Sequence, residues 1–396
     1  MPLQRAFIPY GAYWSSPFCR WQGSLGESNA IELAATTAVG ALRARHIAPE
    51  LLDSLILGCT VPQKYGFYGA PWLAGMIGAP SISGAMIAQA CATSARVLTS
   101  AALELEVGQR QCVLGICCDR TSNGPHIYYP SPAGPGGMGQ SENPVWDNFG
   151  FDPWARTSML ATAELIASEA GITREEQDAV TLRRYEQYAD ALADDRAFQR
   201  RYMVPVQVGQ GRRAVTVEED EGIHPTTADG LARLRPVTEG GTVTFGTQTH
   251  PADGNAGMVV CTRERARELS QDASLEVQLL GYGEVRLERG HMPAASVPAA
   301  QSALDRAGVE LEDCKVIKSH NPFAANDIYF CRETGADLQA MNPFGSPLIY
   351  GHPQGPTGLR VVIETIEALA LAGGGLGLFT GCAAGDTAMA LVLRVD

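Results

Sequence analysis

The sequence predicts a layered α/β fold built from duplicated βαβ halves, with a loop domain inserted into the chain. Three observations predict it: alternating strand-like and helix-like stretches, a weak internal repeat, and a compositionally different middle. Short apolar runs at 55–58, 112–117, 258–261, 376–381 and 388–392 read as buried strands. Residues 94–107 and 359–372 read as helices. In the second, Leu359, Val362, Ile363, Ile366 and Leu369 form one apolar stripe, with Glu364 opposite it and Glu367 at its flank. The alternation favours a parallel-rich sheet covered by helices.

The repeat pairs two segments. One runs from Cys91-Ala92-Thr93-Ser94-Ala95-Arg96 through a helix to a strand ending at Cys117. The other runs from His352-Pro353-Gln354-Gly355 and Arg360 through a helix to a strand ending at Cys382. Each copy places a reactive type of residue before a helix and a cysteine after the next strand, as two copies of one βαβ unit would. Between the halves, 130–148 is rich in Pro, Gly, Ser and Asn and reads as an irregular surface loop. Residues 161–169 and 174–193 read as helices, the latter opened by a capping box of Thr173 and Glu176. The expected division is therefore 1–119 plus 242–270 as the first half, 120–241 as the inserted loop domain, and 271–396 as the second half.

Composition narrows the function. Of 396 residues, 45% are hydrophobic and 18% charged, ample for a large core. A net charge of −13 argues against nucleic-acid or anionic-membrane partners. No apolar run is long enough for a transmembrane helix, and the N-terminus lacks the parts of a signal peptide. The ten cysteines show no disulfide or CxxC spacing, so reduced thiols in a cytoplasmic protein are expected. Cys117-Cys118 with His126 does not read as a metal site, because adjacent cysteines chelate one ion poorly.

Four side chains carry the chemistry. Cys91 sits among small residues just before a helix, where the helix dipole is expected to favour thiolate. His352 lies in Gly351-His352-Pro353-Gln354-Gly355-Pro356-Thr357-Gly358, whose prolines and glycines fix the backbone and clear space around one imidazole. A histidine base beside a cysteine is a covalent-catalysis pair. Cys382 leaves an apolar strand into a small-residue turn, and His320 also follows a strand. Four such groups, each at a strand end or tight turn, suggest one crevice at the C-terminal edges of strands.

These residues, in this order, resemble the thiolase family across nearly the whole chain. Ala90-Cys91-Ala92 matches the nucleophile loop, Gly351-His352-Pro353-Gln354-Gly355 the Gly-His-Pro motif, and Cys382 the C-terminal cysteine. Leu234-Arg235-Pro236, Gly241-Thr242-Val243-Thr244 and Asp253-Gly254 resemble the stretch on the CoA side, and Ser158-Met159 the segment that roofs the acyl pocket. There are departures. His320 replaces the usual Asn, Ala383-Ala384 stand where a glycine is common, Ser158 where many members have His, and His224 where some have Arg.

The resemblance implies a layered αβαβα core and an acyltransferase that cleaves or forms a 3-oxoacyl-CoA through an acyl-Cys91 intermediate. It implies His352 as the base on Cys91, Cys382 as the proton shuttle, and His320 with His352 at one oxyanion. The amides of Cys91 and Ala384 would serve the other. Met159 and Phe323 would line the acyl pocket, and His224, Arg233, Arg235 and Thr249 would contact CoA. No permanently bound cofactor and no metal are expected; coenzyme A and acyl-CoA are substrates. A homodimer or homotetramer is expected, and a small accessory subunit would suit a bulky substrate. The aromatic run Tyr128, Tyr129, Trp146, Phe149, Phe151 and Trp154, with Tyr65, Phe67 and Tyr68, suggests a branched or aromatic acyl group such as an aroylsuccinyl thioester. Its extra carboxylate would need a partner such as His126. A one-cysteine condensing enzyme and a catalytically silent thiolase-like subunit are the rival readings, and the second thiol with an intact four-residue set argues against both.

Overall fold

The computed structural model describes residues 2–209, 211 and 214–396. Seven principal strands form the core: β1 (Ser54–Gly58), β2 (Cys112–Arg120), β3 (Ala252–Cys261), β4 (Val277–Arg286), β5 (Cys314–His320), β6 (Gly375–Ala383) and β7 (Thr387–Val395). The principal helices are α1 (Ala30–Ala44), α2 (Gly69–Met76), α3 (Thr93–Glu106), α4 (Met159–Glu169), α5 (Arg174–Arg196), α6 (Ser296–Ala307), α7 (Ala324–Thr334) and α8 (Thr357–Leu371). No helix is long and apolar enough to cross a membrane among these residues.

Hydrogen-bonded neighbours run Met86–Ile87, β1, β2, β3, Phe7–Ile8, β4, β7, β6, β5. The short strand Phe7–Ile8 is the hinge between two half-sheets, pairing with both β3 and β4. Helices α3 and α8 touch each other and both half-sheets, so they form the middle layer; α1 and α2 cover one outer face and α6 the other. The duplication is visible in the pairing. In one half β1 and β2 are parallel and β2 turns antiparallel onto β3; in the other β5 and β6 are parallel and β6 turns antiparallel onto β7.

The sheet is mixed, which corrects the parallel-rich expectation. Each βαβ crossover supplies one parallel pair, but each half then closes with long antiparallel pairings that apolar runs alone do not reveal. Strand β3 also begins six residues before the predicted 258. Its first part, Ala252-Asp253-Gly254-Asn255-Ala256-Gly257, is small and polar, because the sheet there lies under large rings. A Cβ at Gly257 would sit 2.2 Å from a ring carbon of Trp14, and one at Gly254 2.6 Å from Phe18. The loop expected at 130–148 supplies the connection and return strand of a hairpin, Ile127–Tyr129 with Gln140–Glu142, and opens into a helical turn at Trp146–Gly150.

Helix α8 is buried on all sides, so Glu364 and Glu367 face protein rather than water. Arg360 donates to both oxygens of Asp220 at 2.6 and 2.7 Å and to Glu364 at 3.0 Å, while Lys318 pairs with Glu364 at 2.9 Å. Asp220 belongs to the 120–241 stretch, so this buried network ties that stretch to the helix that follows His352. A buried charge is tolerated only when paired in this way.

Candidate active site

Cys91 stands at the entrance to α3, after Ala90, whose φ of +44° lies in the left-handed region and turns the chain sharply. His352 occupies the opposite loop. Its N–H donates to the His250 carbonyl at 2.9 Å, and Gly355 of the same loop donates to buried Asp119 at 2.8 Å. The Ser94 hydroxyl, in the first turn of α3, donates to the Gly355 carbonyl. The two loops are thus bolted together, and His352 Nε2 lies 3.2 Å from Cys91 Sγ. Nδ1 lies 2.6 Å from Thr357 Oγ1 in the first turn of α8. With Nδ1–H donating to that hydroxyl, Nε2 is left to accept the thiol proton.

His320 closes β5, its ring centroid 4.1 Å from that of His352, and both its nitrogens are buried without a partner. Cys382 is the penultimate residue of β6 and receives the side-chain amide of Asn326 at 3.2 Å. All four predicted side chains therefore meet in one crevice. Donor atoms of Cys91, His320 and His352 lie within 4.8 Å of one another; a soft cation there would occupy the nucleophile.

Burial governs the protonation states. It pushes the Cys91 thiol up to about 12, although the N–H groups of Ala384 and of Cys91 itself pull the other way. This corrects the expected thiolate, since desolvation outweighs the nearby helix end. Burial also drops His320 to about 3 and holds His352 well below the usual imidazole range, with His320 adding to the latter. The resting pair is a neutral thiol and a neutral imidazole.

A stability prediction follows with a definite sign. Unfolded histidines titrate near 6.5, so the unfolded chain takes up protons first as pH falls. Stability present above pH 6.5 is therefore lost towards pH 3, at about 1.4 kcal/mol per pH unit for His320 alone. Urea midpoints at pH 7 and pH 5 should diverge, and His320→Asn should narrow the gap. An unchanged gap in the variant contradicts the assignment.

Three cavities share walls. A central one of about 280 Å³ holds Cys91, His352 and Cys382, with Trp146, Phe149, Met159, Thr249 and Phe323 around them. A second, about 480 Å³, lies beyond Ala90 and Ala384 and is lined by Phe149, Phe151, Trp154, Met159 and Arg286. An outer one of about 400 Å³ is lined by Arg20, Trp21, His224 and His250. Met159 lines the central and second cavities, Phe323 and Thr249 the central one, and His224 the outer one. Arg233 and Arg235 are exposed and line none of the three. His126 is exposed too, and Phe67 is 94% exposed, so neither lines these cavities. Asn326, Arg286, Arg20 and Trp21 were missed; Asn326 lies three residues beyond Phe323 but nothing in its local sequence points to Cys382, and the other three are distant from any motif and brought in only by the fold.

A buried cysteine with a histidine base, faced by a second thiol across two βαβ halves, defines an acyl-transferring enzyme of the thiolase type. The chain belongs to the thiolase family: residues 13–264 match the thiolase N-terminal domain and 274–395 the thiolase C-terminal domain. Members use coenzyme A as a substrate rather than as a resident cofactor. Among its relatives is the probable acetyl-CoA acetyltransferase of Mycobacterium leprae, 28% identical over 96% of this chain and 97% of that protein. The acetyl-CoA acetyltransferase structure from Bacillus anthracis superposes with a TM-score of 0.92 at 26% identity, covering 100% of both chains. The human mitochondrial 3-ketoacyl-CoA thiolase solved in complex with CoA gives 0.91 at 25% identity, over 100% of this chain and 99% of that one.

Proposed function

We propose that this thiolase cleaves, or forms in reverse, a 3-oxoacyl-CoA whose acyl group is branched or aromatic, such as an aroylsuccinyl-CoA. The observation that carries the reading is the aromatic second cavity beyond Cys91, with Phe149, Phe151 and Trp154 in its wall. Aromatic faces against a substrate ring add about 0.5–1.5 kcal/mol per pair beyond burial. CoA enters past His224 and Thr249, and the acyl group passes Met159 and Phe323.

His352 takes the Cys91 proton and the sulfur attacks the 3-oxo carbonyl. The C2–C3 bond breaks, and Cys382 protonates the departing CoA-thioester enolate. A second CoA gives its thiol proton to Cys382 and takes the acyl group from Cys91. The Cys91 and Ala384 amides hold one oxyanion and His352 with His320 the other; losing one such donor costs about 10²–10³ in rate.

Arg286 replaces His126 as the partner for a substrate carboxylate. Its Nε is taken by the Gly385 carbonyl at 3.1 Å and its guanidinium carbon lies 5.9 Å from the Trp154 ring centre, which leaves the two terminal nitrogens for a carboxylate. The 120–241 stretch, which supplies the aromatic wall and Asp220, acts in this reading as a substrate-specific insert between the two halves. Exposed Tyr65, Phe67, Tyr68 and Met86 beside the edge strand Met86–Ile87 support assembly as a homodimer or homotetramer.

The test compares kcat/KM for acetoacetyl-CoA and an aromatic 3-oxoacyl-CoA, with any co-purifying small subunit retained. The aromatic ester should win by at least about tenfold, the scale set by its aromatic contacts. Equal or faster cleavage of acetoacetyl-CoA removes the bulky-acyl reading and leaves the thiolase class untouched.

A further inference from the structure

Cys382 is 1% exposed, and burial, with Cys91 nearby, pushes its thiol well above the usual range. A proton shuttle in that setting needs something to favour its charged form. Asn326, in the first turn of α7 and 3% exposed, supplies a donor: Nδ2 lies 3.2 Å from Cys382 Sγ. The orientation of the amide is fixed by its other end. Oδ1 accepts the Phe323 N–H at 3.3 Å, and a backbone N–H can only donate, so the oxygen faces Phe323 and the nitrogen faces sulfur. Capping the helix requires only the oxygen, for which a carboxylate would do as well. The amide's donor is surplus to folding and is aimed at a reacting atom.

We propose that Asn326 is a further catalytic residue, whose side-chain amide stabilises the Cys382 thiolate formed when the enolate is protonated. The inference rests on reading Cys382 as the shuttle. In the cycle, Cys382 S–H gives its proton to the enolate carbon and becomes the thiolate held by Asn326. The thiolate then takes the S–H proton of the incoming CoA, whose sulfur attacks acyl-Cys91. The acyl–sulfur bond to Cys91 breaks, and Cys91 recovers the proton held on His352. Hydrogen bonds to a charged group are strong enough for one donor to matter here.

Asn326→Asp tests this, because it keeps the acceptor for Phe323 and removes the donor. Thiolysis at pH 8 should fall by about 10–100-fold. In a Cys91→Ala background, the pH midpoint for alkylation of Cys382, followed by peptide mass, should rise by about one unit or more. Asn326→Leu, which adds no charge, should move both readouts the same way. Cys382→Ser is run in parallel. If it loses turnover while both Asn326 variants keep normal rates and midpoints, the role of Asn326 is overturned and the shuttle stands. If Cys382→Ser turns over normally, the shuttle reading fails and the inference with it.

Discussion

Cys91→Ala is expected to abolish thiolysis, lowering kcat about 10⁴-fold or more while leaving the fold intact. The magnitude follows from the covalent route, in which one difficult acyl transfer is split into two steps that both pass through the sulfur. No neighbour can substitute. Cys382 is held by Asn326 at 3.2 Å, and His352 Nε2 is aimed at Cys91 at 3.2 Å. The side chain is 8% exposed and small, so its loss opens little space. Thiolysis rates together with a thermal melt check the expectation. A variant within tenfold of wild type places the nucleophile elsewhere.

Cys382→Ser is expected to separate the two thiols. The variant should still become acylated at Cys91 but turn over about 10²–10⁴-fold more slowly, the contribution of a positioned acid–base group. A serine hydroxyl keeps the shape yet cannot ionise usefully near neutral pH, so it neither protonates the enolate well nor activates CoA. Single-turnover labelling, compared with steady-state rate, reads both steps. Loss of labelling with the fold intact contradicts this division of labour.

Much of the crevice was legible because its parts sit at strand ends and in turns of unusual composition. Glycines and prolines around His352 announce a fixed, open loop, Cys91 sits among small residues at a helix start, and Cys382 leaves an apolar strand into a small-residue turn. The duplicated βαβ order was readable for the same reason. Pairing direction was not, because an apolar run looks alike in parallel and antiparallel neighbours. Nor was the first part of β3, where Gly254 and Gly257 lower strand propensity to make room for Phe18 and Trp14. Glu364 looked like the polar face of an amphipathic helix; only the fold reveals Lys318 and Arg360 as its buried partners. The Cys91 thiol illustrates competing terms, since a helix start is visible in sequence and total desolvation is not. Asn326 lies in a plain Ala-Ala-Asn stretch whose importance depends on a strand more than fifty residues away.

The most direct test of the account is the site of acylation. The purified chain is mixed with a 3-oxoacyl-CoA in the absence of free CoA, quenched in acid, digested and read by peptide mass. The acyl mass should appear on the peptide containing Cys91, and it should disappear when free CoA is added before the quench. Acyl mass on the peptide of Cys382 or Cys59, with Cys91 unmodified, contradicts the account.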